Sequence, residues 1–357
     1  MSEQIGKLLD LRRTTRMSRT EFFQYRLWRT EMTIAERLRF LSNRETRLIE
    51  TFRNPDLWRR KWFRLKSAGI RQIEAAGVAV PRHLAVVAND GALQSDIDAL
   101  ATGSVPVVRS LAALADALAD APGSGVVIKP EDGMQGRDVI VALRASRQSL
   151  CLVDGEELPI ASLWTQLSKS GSALWRVEER ITADQSLAVL APGSTPTLRL
   201  VTVVLDSGPS IHAVSLKIPR VGSGVDNFHA GNLAAPVDGS DGSVGGATDF
   251  YGTQRHQCHP DTNVPIAGLR IPQWQQCLEA VLTAAPAMMP LASLGWDVAI
   301  SPTGPVIIEA NDSWGEDIVQ VPQDAGVLRG ALVELLRERG DAGILSRRNA
   351  RHPKWND

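Results

Sequence analysis

Nowhere in the chain do about 18 uncharged apolar residues follow one another, so no membrane-crossing helix is expected. The opening MSEQIGKLLDLRRTTR lacks an apolar segment and a small-residue cleavage site, so it does not read as a secretory signal. Cysteine is scarce. Cys151, Cys258 and Cys277 are odd in number and widely spaced, which points to a reduced, cytoplasmic protein instead of a disulfide framework. No internal repeat and no low-complexity tract is present. No Ser–His–Asp or Cys–His constellation stands out, which leaves little ground for a side-chain nucleophile.

What is there is an ordinary globular composition, 43% hydrophobic and 22% charged over 357 residues, enough for two or three packed subdomains. The net charge of −1 hides an asymmetry. Residues 1–66 carry 17 Lys plus Arg against 8 Asp plus Glu, and the remainder carries 22 against 32. A basic segment can dock on nucleic acid, anionic lipid or an acidic partner, and an arginine-rich solvated helical face is the plainer reading. Phe22, Phe23, Tyr25 and Trp28 sit there at helix-like spacing and are expected in a core.

Residues 1–66 read as helical, with Ile34, Leu38, Leu41, Leu48 and Phe52 lining one face. Asn54-Pro55 is a break, and a second helix is expected from Asp56 through Trp58, Trp62 and Lys66 toward Ala76. Strands and helices then alternate, with strands expected at 83–87, 126–130, 138–143, 174–181 and 197–205 and a helix at 111–119. Residues 222–263, rich in Gly, Asp, Ser and Asn, read as a long irregular loop. A helix over 272–289 begins near its proline. Strands 295–301 and 305–311 flank a Pro-Thr-Gly turn, and a helix over 327–339 precedes a polar tail.

The sharpest local signal is residues 295–311. If the two strands form a hairpin centred on Thr303, then Ser301 faces Pro305, Ala299 faces Ile307 and Asp297 faces Glu309. Opposed residues have Cβ atoms roughly 4.5–5.5 Å apart. Asn311, two residues beyond Glu309, projects from the same face. Val298, Ile300, Val306, Ile308 and Ala310 fall on the core face. Directly opposed like charges destabilise a sheet, so a cation is expected between them. Two carboxylates and an amide oxygen are hard donors that suit Mg²⁺. An exposed polar face without metal is the alternative, and a one-residue slip would separate the acids.

Lys129 ends an apolar strand just before a loop carrying Gly133 and Gly136. Glycines let backbone amides approach phosphate oxygens, and a lysine there reaches the same phosphates as a point charge. The spacing is not that of a Walker motif, and a plain hairpin turn would look the same. His256, Cys258 and His259 invite a zinc reading, but they are too tightly spaced for a complete tetrahedral site. Structural or substrate-contact roles are expected of them.

Taken in order, these pieces resemble the ATP-grasp superfamily, and in particular its sugar-transfer-associated family. The matching elements are Lys66 upstream of Gly-Val-Ala-Val-Pro81, Val-Ile-Lys-Pro130 with its glycine loop, Glu-Glu-Arg-Ile181 and Thr-Pro-Thr-Leu-Arg-Leu-Val-Thr202. Val-Asp-Asn-Phe228, His-Pro-Asp-Thr262 with Gly268, Ile-Pro-x-Trp274, Gly-Trp-Asp-Val298 and Glu-Ala-Asn311 follow. The resemblance covers roughly residues 60–335. It implies an α+β, ATP-grasp fold in which two α+β subdomains clamp ATP, here behind a helical, basic N-terminal extension. The expected divisions are 1–65 (helical), 66–182 (lid side with the phosphate loop), 183–340 (central and C-terminal, with the magnesium site) and 341–357 (tail).

The resemblance also implies roles. Lys66 and Lys129 would contact the α- and β-phosphates from the lid side, with Gly133 and Gly136 in the loop. Residues 178–181 would form the hinge, where main-chain groups near Arg180 and Ile181 read the adenine edge and Glu178 or Glu179 bonds the adenine or ribose. Arg199 would neutralise the transferred phosphoryl, and Asp297, Glu309 and Asn311 would hold Mg²⁺. Lys217, Arg220, Asp226 and Asn227 are candidate substrate contacts. The α/β pre-domain common in such ligases is replaced here by basic helices, so its substrate contacts do not carry over. The implied reaction activates a small-molecule carboxylate as an acyl phosphate for attack by an amine acceptor. A phosphotransferase acting on a hydroxyl and a non-catalytic nucleotide-binding scaffold are the alternatives. An anionic partner for the N-terminal helices and a homodimer are compatible with the sequence.

Overall fold

The computed structural model of the chain describes residues 2–56, 66–100, 105–133, 138–341, 343–353 and 355. The Trp58–Trp62 part of the expected second helix, and Gly136, lie outside the described residues.

Two seven-stranded sheets organise the chain. The first is built from β1 (His83–Ala88), β2 (Val107–Val108), β3 (Val126–Pro130), β4 (Ile140–Ala145), β5 (Ser149–Leu152), β6 (Glu157–Pro159) and β7 (Leu174–Glu179), in the order β2-β1-β7-β3-β4-β5-β6. The β1–β2 pair is parallel and the rest are antiparallel. Helices Leu111–Ala119 and Ile160–Ser168 cover it, with Leu114, Leu118, Leu163 and Leu167 buried against Ile128 and Val177.

The second sheet contains β8 (Thr197–Leu205), β9 (Gly208–Ile218), β10 (Leu233–Pro236), β11 (Ala247–Thr248), β12 (Arg255–His256), β13 (Ser293–Ser301) and β14 (Gly304–Asn311). Its order is β12-β11-β10-β9-β8-β13-β14, antiparallel throughout. The run Thr-Leu-Arg-Leu-Val-Thr-Val-Val-Leu of β8 is β-branched and apolar, as a strand buried on both faces requires. Leu198, Leu200 and Val204 join one core with the helix Trp274–Ala284. Val201 and Val203 point the other way, into a second core built largely from the N- and C-terminal helices. Arg199 shares the parity of Val201 and so the face that the terminal helices cover.

Much of the N-terminal segment is therefore part of a core, but Phe23 and Trp28, expected there as well, are left exposed. Leu11, Phe22, Tyr25, Leu38, Leu41 and Ile49 are buried with Trp314, Leu332 and Leu336. The single helical face expected over 34–52 is split. Helix Ile34–Leu38 ends, and helix Asn43–Arg53 begins at a Ser42 cap reciprocated by Glu45. That capping box outweighs the periodicity, and Ile34 is left 40% exposed.

The segment 222–263 is also more ordered than its composition suggests, since β10, β11 and β12 extend the second sheet through it. The hairpin differs from its expected register at the tip. Ser301 pairs with Gly304, Ala299 with Val306 and Val298 with Ile307, across a two-residue turn at Pro302-Thr303. A bulge at Ile308 then restores the pairing Asp297–Glu309. One consequence is that Ile307 packs in the core, and Ile308 lines a cavity.

Candidate functional site

A cavity of about 990 Å³ is lined by both sheets and by the N-terminal helix Asn43–Arg53. It is reached by Lys66, Lys129, Gly133, Glu178, Glu179, Arg180, Ile181, Arg199, Lys217, Asp226, Asn227, Asp297, Glu309 and Asn311, all singled out in the sequence. Arg220 is not among them. Its guanidinium is turned to Asp261, with Nε 2.7 Å from Oδ2, so the expected substrate contact is a surface ion pair instead.

On the second sheet, cross-strand pairing decides the geometry. Arg199 lies opposite Asp297, and Asp297 lies opposite Glu309. Arg199 forms a two-pronged contact with Asp297, Nε to Oδ1 at 2.7 Å and Nη2 to Oδ2 at 3.2 Å, and donates Nη1 to the Trp314 carbonyl at 2.6 Å. Lys217 bridges Asp226 (3.0 Å) and Asp297 (3.1 Å). Burial opposes the charge on Asp297, but Arg199 and Lys217 outweigh it and hold the carboxyl below its ordinary range. Burial likewise opposes the charge on Lys217, and Asp226 and Asp297 more than compensate, raising it.

Glu309 accepts from Lys66 Nζ at 2.7 Å. Burial works against its ionisation, and Lys66 wins, lowering it. Lys66 opens the helix Lys66–Ala75, which packs on β14, so it approaches from beside the hairpin and not from the first sheet. Gly295 makes room for this arrangement. A Cβ there would lie 2.3 Å from that of Trp314 and 3.2 Å from Arg199 Cδ. Trp314 is fully buried beneath the Arg53 guanidinium, 4.9 Å from its ring centre, and donates Nε1 to Ser293 Oγ at 2.9 Å.

The first sheet contributes a second charged cluster. Lys129 Nζ lies 2.7 Å from Glu178 Oε2, and Arg176 Nε lies 2.8 Å from Oε1. All three are almost fully buried. Burial lowers Lys129 from the ordinary lysine value. It also opposes the charge on Glu178, where Arg176 and Lys129 prevail and lower the carboxyl. Glu179 turns outward to Arg82 (3.2 Å) and Ser124 (3.2 Å). This separates the two adjacent acids: Glu178 is buried against Lys129, and Glu179 is turned to Arg82 and Ser124.

The Arg180 side chain is spent on the Ser124 and Gly193 carbonyls, both at 3.0 Å. Its N–H donates to Gly125 O, and the Ile181 carbonyl accepts from Thr195. The Arg180 carbonyl and the Ile181 N–H have no hydrogen-bond partner among the described residues. Ile70, Val127, Val139, Val141 and Ile308 supply apolar walls to the same cavity.

Asp297, Glu309 and Asn311 fit a magnesium ion that shares its shell with phosphates. They are hard oxygen donors on one strand pair, and Asn311 Nδ2 leans on Gly295 O at 3.5 Å, which leaves its oxygen as the acceptor end. No group of three or more His, Cys, Asp or Glu arranged for an all-protein metal centre occurs among the described residues. His259 is held by main-chain hydrogen bonds. It is buried, its Nε2 lies 3.0 Å from Pro219 O, and its Nδ1 accepts from Asp261 N at 3.2 Å.

Sequence reasoning missed four contributors. Arg176 and Glu178 alternate with Trp175 and Val177 along β7, a pattern that was legible. Glu131, buried and accepting from Ser67 N (2.6 Å) and Ser67 Oγ (3.0 Å), ties the helix Lys66–Ala75 to the end of β3. The wall formed by Asn43, Arg47 and Glu50 and the pair His229–Asp317 arise from long-range contacts with no local signature.

A family model described as sugar-transfer associated ATP-grasp matches residues 63–334. No curated protein matches the sequence. Among solved structures, the L-amino acid ligase from Bacillus licheniformis is similar at 12% identity and TM-score 0.36, over 71% of this chain and 41% of that one. VanG D-Ala:D-Ser ligase from Enterococcus faecalis follows at 11% and 0.40, over 79% and 62%. The N5-carboxyaminoimidazole synthase from Aspergillus clavatus gives 9% and 0.42, over 78% and 53%. The chain spans less than two thirds of each of these, and at such TM-scores the likeness carries no argument about chemistry.

Proposed function

The chain belongs to the sugar-transfer-associated ATP-grasp family, and we propose that its cleft binds magnesium–ATP and drives a carboxylate–amine ligation through an acyl phosphate. The observation that carries this reading is the charge pattern of one cavity. Four cations (Lys66, Lys129, Arg199 and Lys217) meet two opposed carboxylates, Asp297 and Glu309, beside an apolar slot. Each cation already has an acid partner, so phosphates and a metal entering together exchange one matched set of charges for another. Neither then leaves a buried charge unanswered.

In this reading Ile70, Val127 and Val141 hold the adenine, and the Arg180 carbonyl and Ile181 N–H read its edge. Glu179 faces the rim, where a ribose would sit. Lys66 and Lys129 hold the phosphate chain, and Arg199 faces the transferred phosphoryl. A Mg²⁺ held by Asp297, Glu309 and Asn311 would offset the charge that develops there. The chain's own contribution is alignment and charge neutralisation with no covalent intermediate on the protein. Lys217, Asp226 and Asn227 border the end of the cavity where the carboxylate to be activated would lie.

The test is incubation with ATP, Mg²⁺ and pooled carboxylates and amines, read by mass spectrometry. A ligase gives a condensed product with ADP and phosphate, a phosphotransferase adds phosphate alone, and a scaffold consumes no ATP. Unchanged ATP consumption by a folded Glu309→Gln variant would contradict the assignment.

A further inference from the structure

The cavity that holds the cations is also lined by Trp314, by the N-terminal helix Asn43–Arg53 and by the turn Phe228–Ala230. On that turn His229 reaches across to Asp317, Nε2 to Oδ2 at 2.7 Å. Both residues line the cavity that holds Arg199 and Asp297.

The histidine is held firmly for a half-exposed side chain. Asn227 Oδ1 accepts from the His229 main-chain N–H at 3.0 Å, and Asn232 Nδ2 donates to the Val225 and Asn227 carbonyls at 2.9 and 3.0 Å. Its ring rests against Phe250, 4.8 Å between centres. Asp317 is fixed in turn, with Oδ1 accepting from Ile318 N at 2.8 Å. With Nε2 committed to Asp317, Nδ1 is the ring nitrogen that has no partner among the described residues.

Resting on the ligase reading above, we propose that His229, oriented by Asp317, is the general base that deprotonates the incoming amine in this cleft. An amine arrives as an ammonium and cannot attack until it loses a proton. Nδ1 takes that proton. The freed nitrogen pair then forms the C–N bond to the acyl carbon, and the C–O bond to phosphate breaks with its electron pair leaving on phosphate. The second nitrogen proton departs with phosphate or solvent, and the histidine returns its own to solvent. The charged groups that face His229 are Asp317, from the helix Asp317–Gln323, and Arg199, from β8. The hydrogen bond that Nε2 donates to Asp317 dominates and raises the histidine above its ordinary value, so the basic form predominates only on the alkaline side of 6.5.

The experiment separates the two half-reactions. Hydroxylamine, largely unprotonated at neutral pH, traps an acyl phosphate as a hydroxamate without needing a base. The protein is supplied with ATP, Mg²⁺ and a pool of common amino acids, with and without hydroxylamine. Hydroxamate and amide products are both quantified across pH for native, His229→Gln and Asp317→Asn chains. The expected result is a ratio of amide to hydroxamate that falls about 10²-fold or more in His229→Gln, the usual range for loss of a general base. In Asp317→Asn the midpoint of the amide pH profile moves to lower pH. Equal loss of both products in His229→Gln marks a merely structural role and overturns the proposal, and so does an unchanged ratio. If the native chain forms no hydroxamate, the ligase reading fails and this proposal with it. Hydroxamate formed with an unchanged ratio removes the base and leaves the ligase reading standing.

Discussion

Two sets of arginines and lysines in this chain look alike in the sequence and behave differently in space. Three in the terminal helices, Arg37, Arg53 and Arg348, are used up by the fold. Arg348 is fully buried, with Nη1 and Nη2 on Glu45 at 2.7 and 2.8 Å and Nε on the Leu38 carbonyl at 2.7 Å. Arg53 is fully buried against Glu316 at 2.9 Å, and Arg37 donates to the Leu27 carbonyl at 2.9 Å. The cations of the cleft are also paired, but their acid partners line the same cavity and can be exchanged for a ligand. Of the basic excess of residues 1–66, Arg37 and Arg53 are taken into the core, while Arg12, Arg13, Arg16, Arg19 and Arg44 stay exposed. The lesson is that the partner of a cation matters more than the local density of cations.

The comparison is broken first by removing a cation that belongs to the fold. Arg348→Ala strands Glu45 without its buried partner and should cost ~3–5 kcal/mol, read as a large drop in the unfolding midpoint. The fraction that remains folded should keep its nucleotide affinity. Next comes the cleft. Glu309→Gln should cut turnover about 10²–10³-fold, ~2.7–4 kcal/mol of transition-state stabilisation, while the unfolding midpoint moves little.

The pair His229–Asp317 lies between the two sets. Its raised histidine contributes stability that is fully present below 6.5 and is lost as pH rises through the folded value. His229→Gln should remove that pH-dependent part, about 0.2–1 kcal/mol for a half-exposed pair, visible in unfolding curves on either side of neutrality. A stability effect no larger, with none on turnover, belongs to Arg220, which sits outside the cavity. Arg220→Ala should cost about 0.2–1 kcal/mol and leave turnover unchanged. The Arg220 guanidinium depresses Asp261 to about 2, so its contribution is complete above the ordinary value of 3.8 and disappears as pH falls through 2.

Much of the fold was readable where local rules agree. The strand β8 and the helix Leu111–Ala119 fall within the expected bounds because β-branched runs and Ala/Leu runs point one way. The opposition of Asp297 and Glu309 was readable too, but through a register that holds only beyond the bulge at Ile308. The two-residue turn and the bulge offset each other, and period-2 alternation alone does not reveal either one. The strand β9 and the short strands β10 to β12 were hidden by glycine and turn residues, and they exist because a neighbouring strand supplies their hydrogen bonds. Residues such as Trp314, Glu131 and His229 gain their place from contacts distant in sequence, so no window around them carries the signal.

The most direct test of the central claim is a calorimetric titration of ATP into the native chain and a folded Glu309→Gln variant, each with and without Mg²⁺. If the two opposed carboxylates form the magnesium end of an ATP cleft, the native chain binds one ATP more tightly with Mg²⁺ than without, and the variant loses that difference. ATP affinity indifferent to Mg²⁺ in the native chain, or a magnesium dependence that survives in Glu309→Gln, would contradict the account.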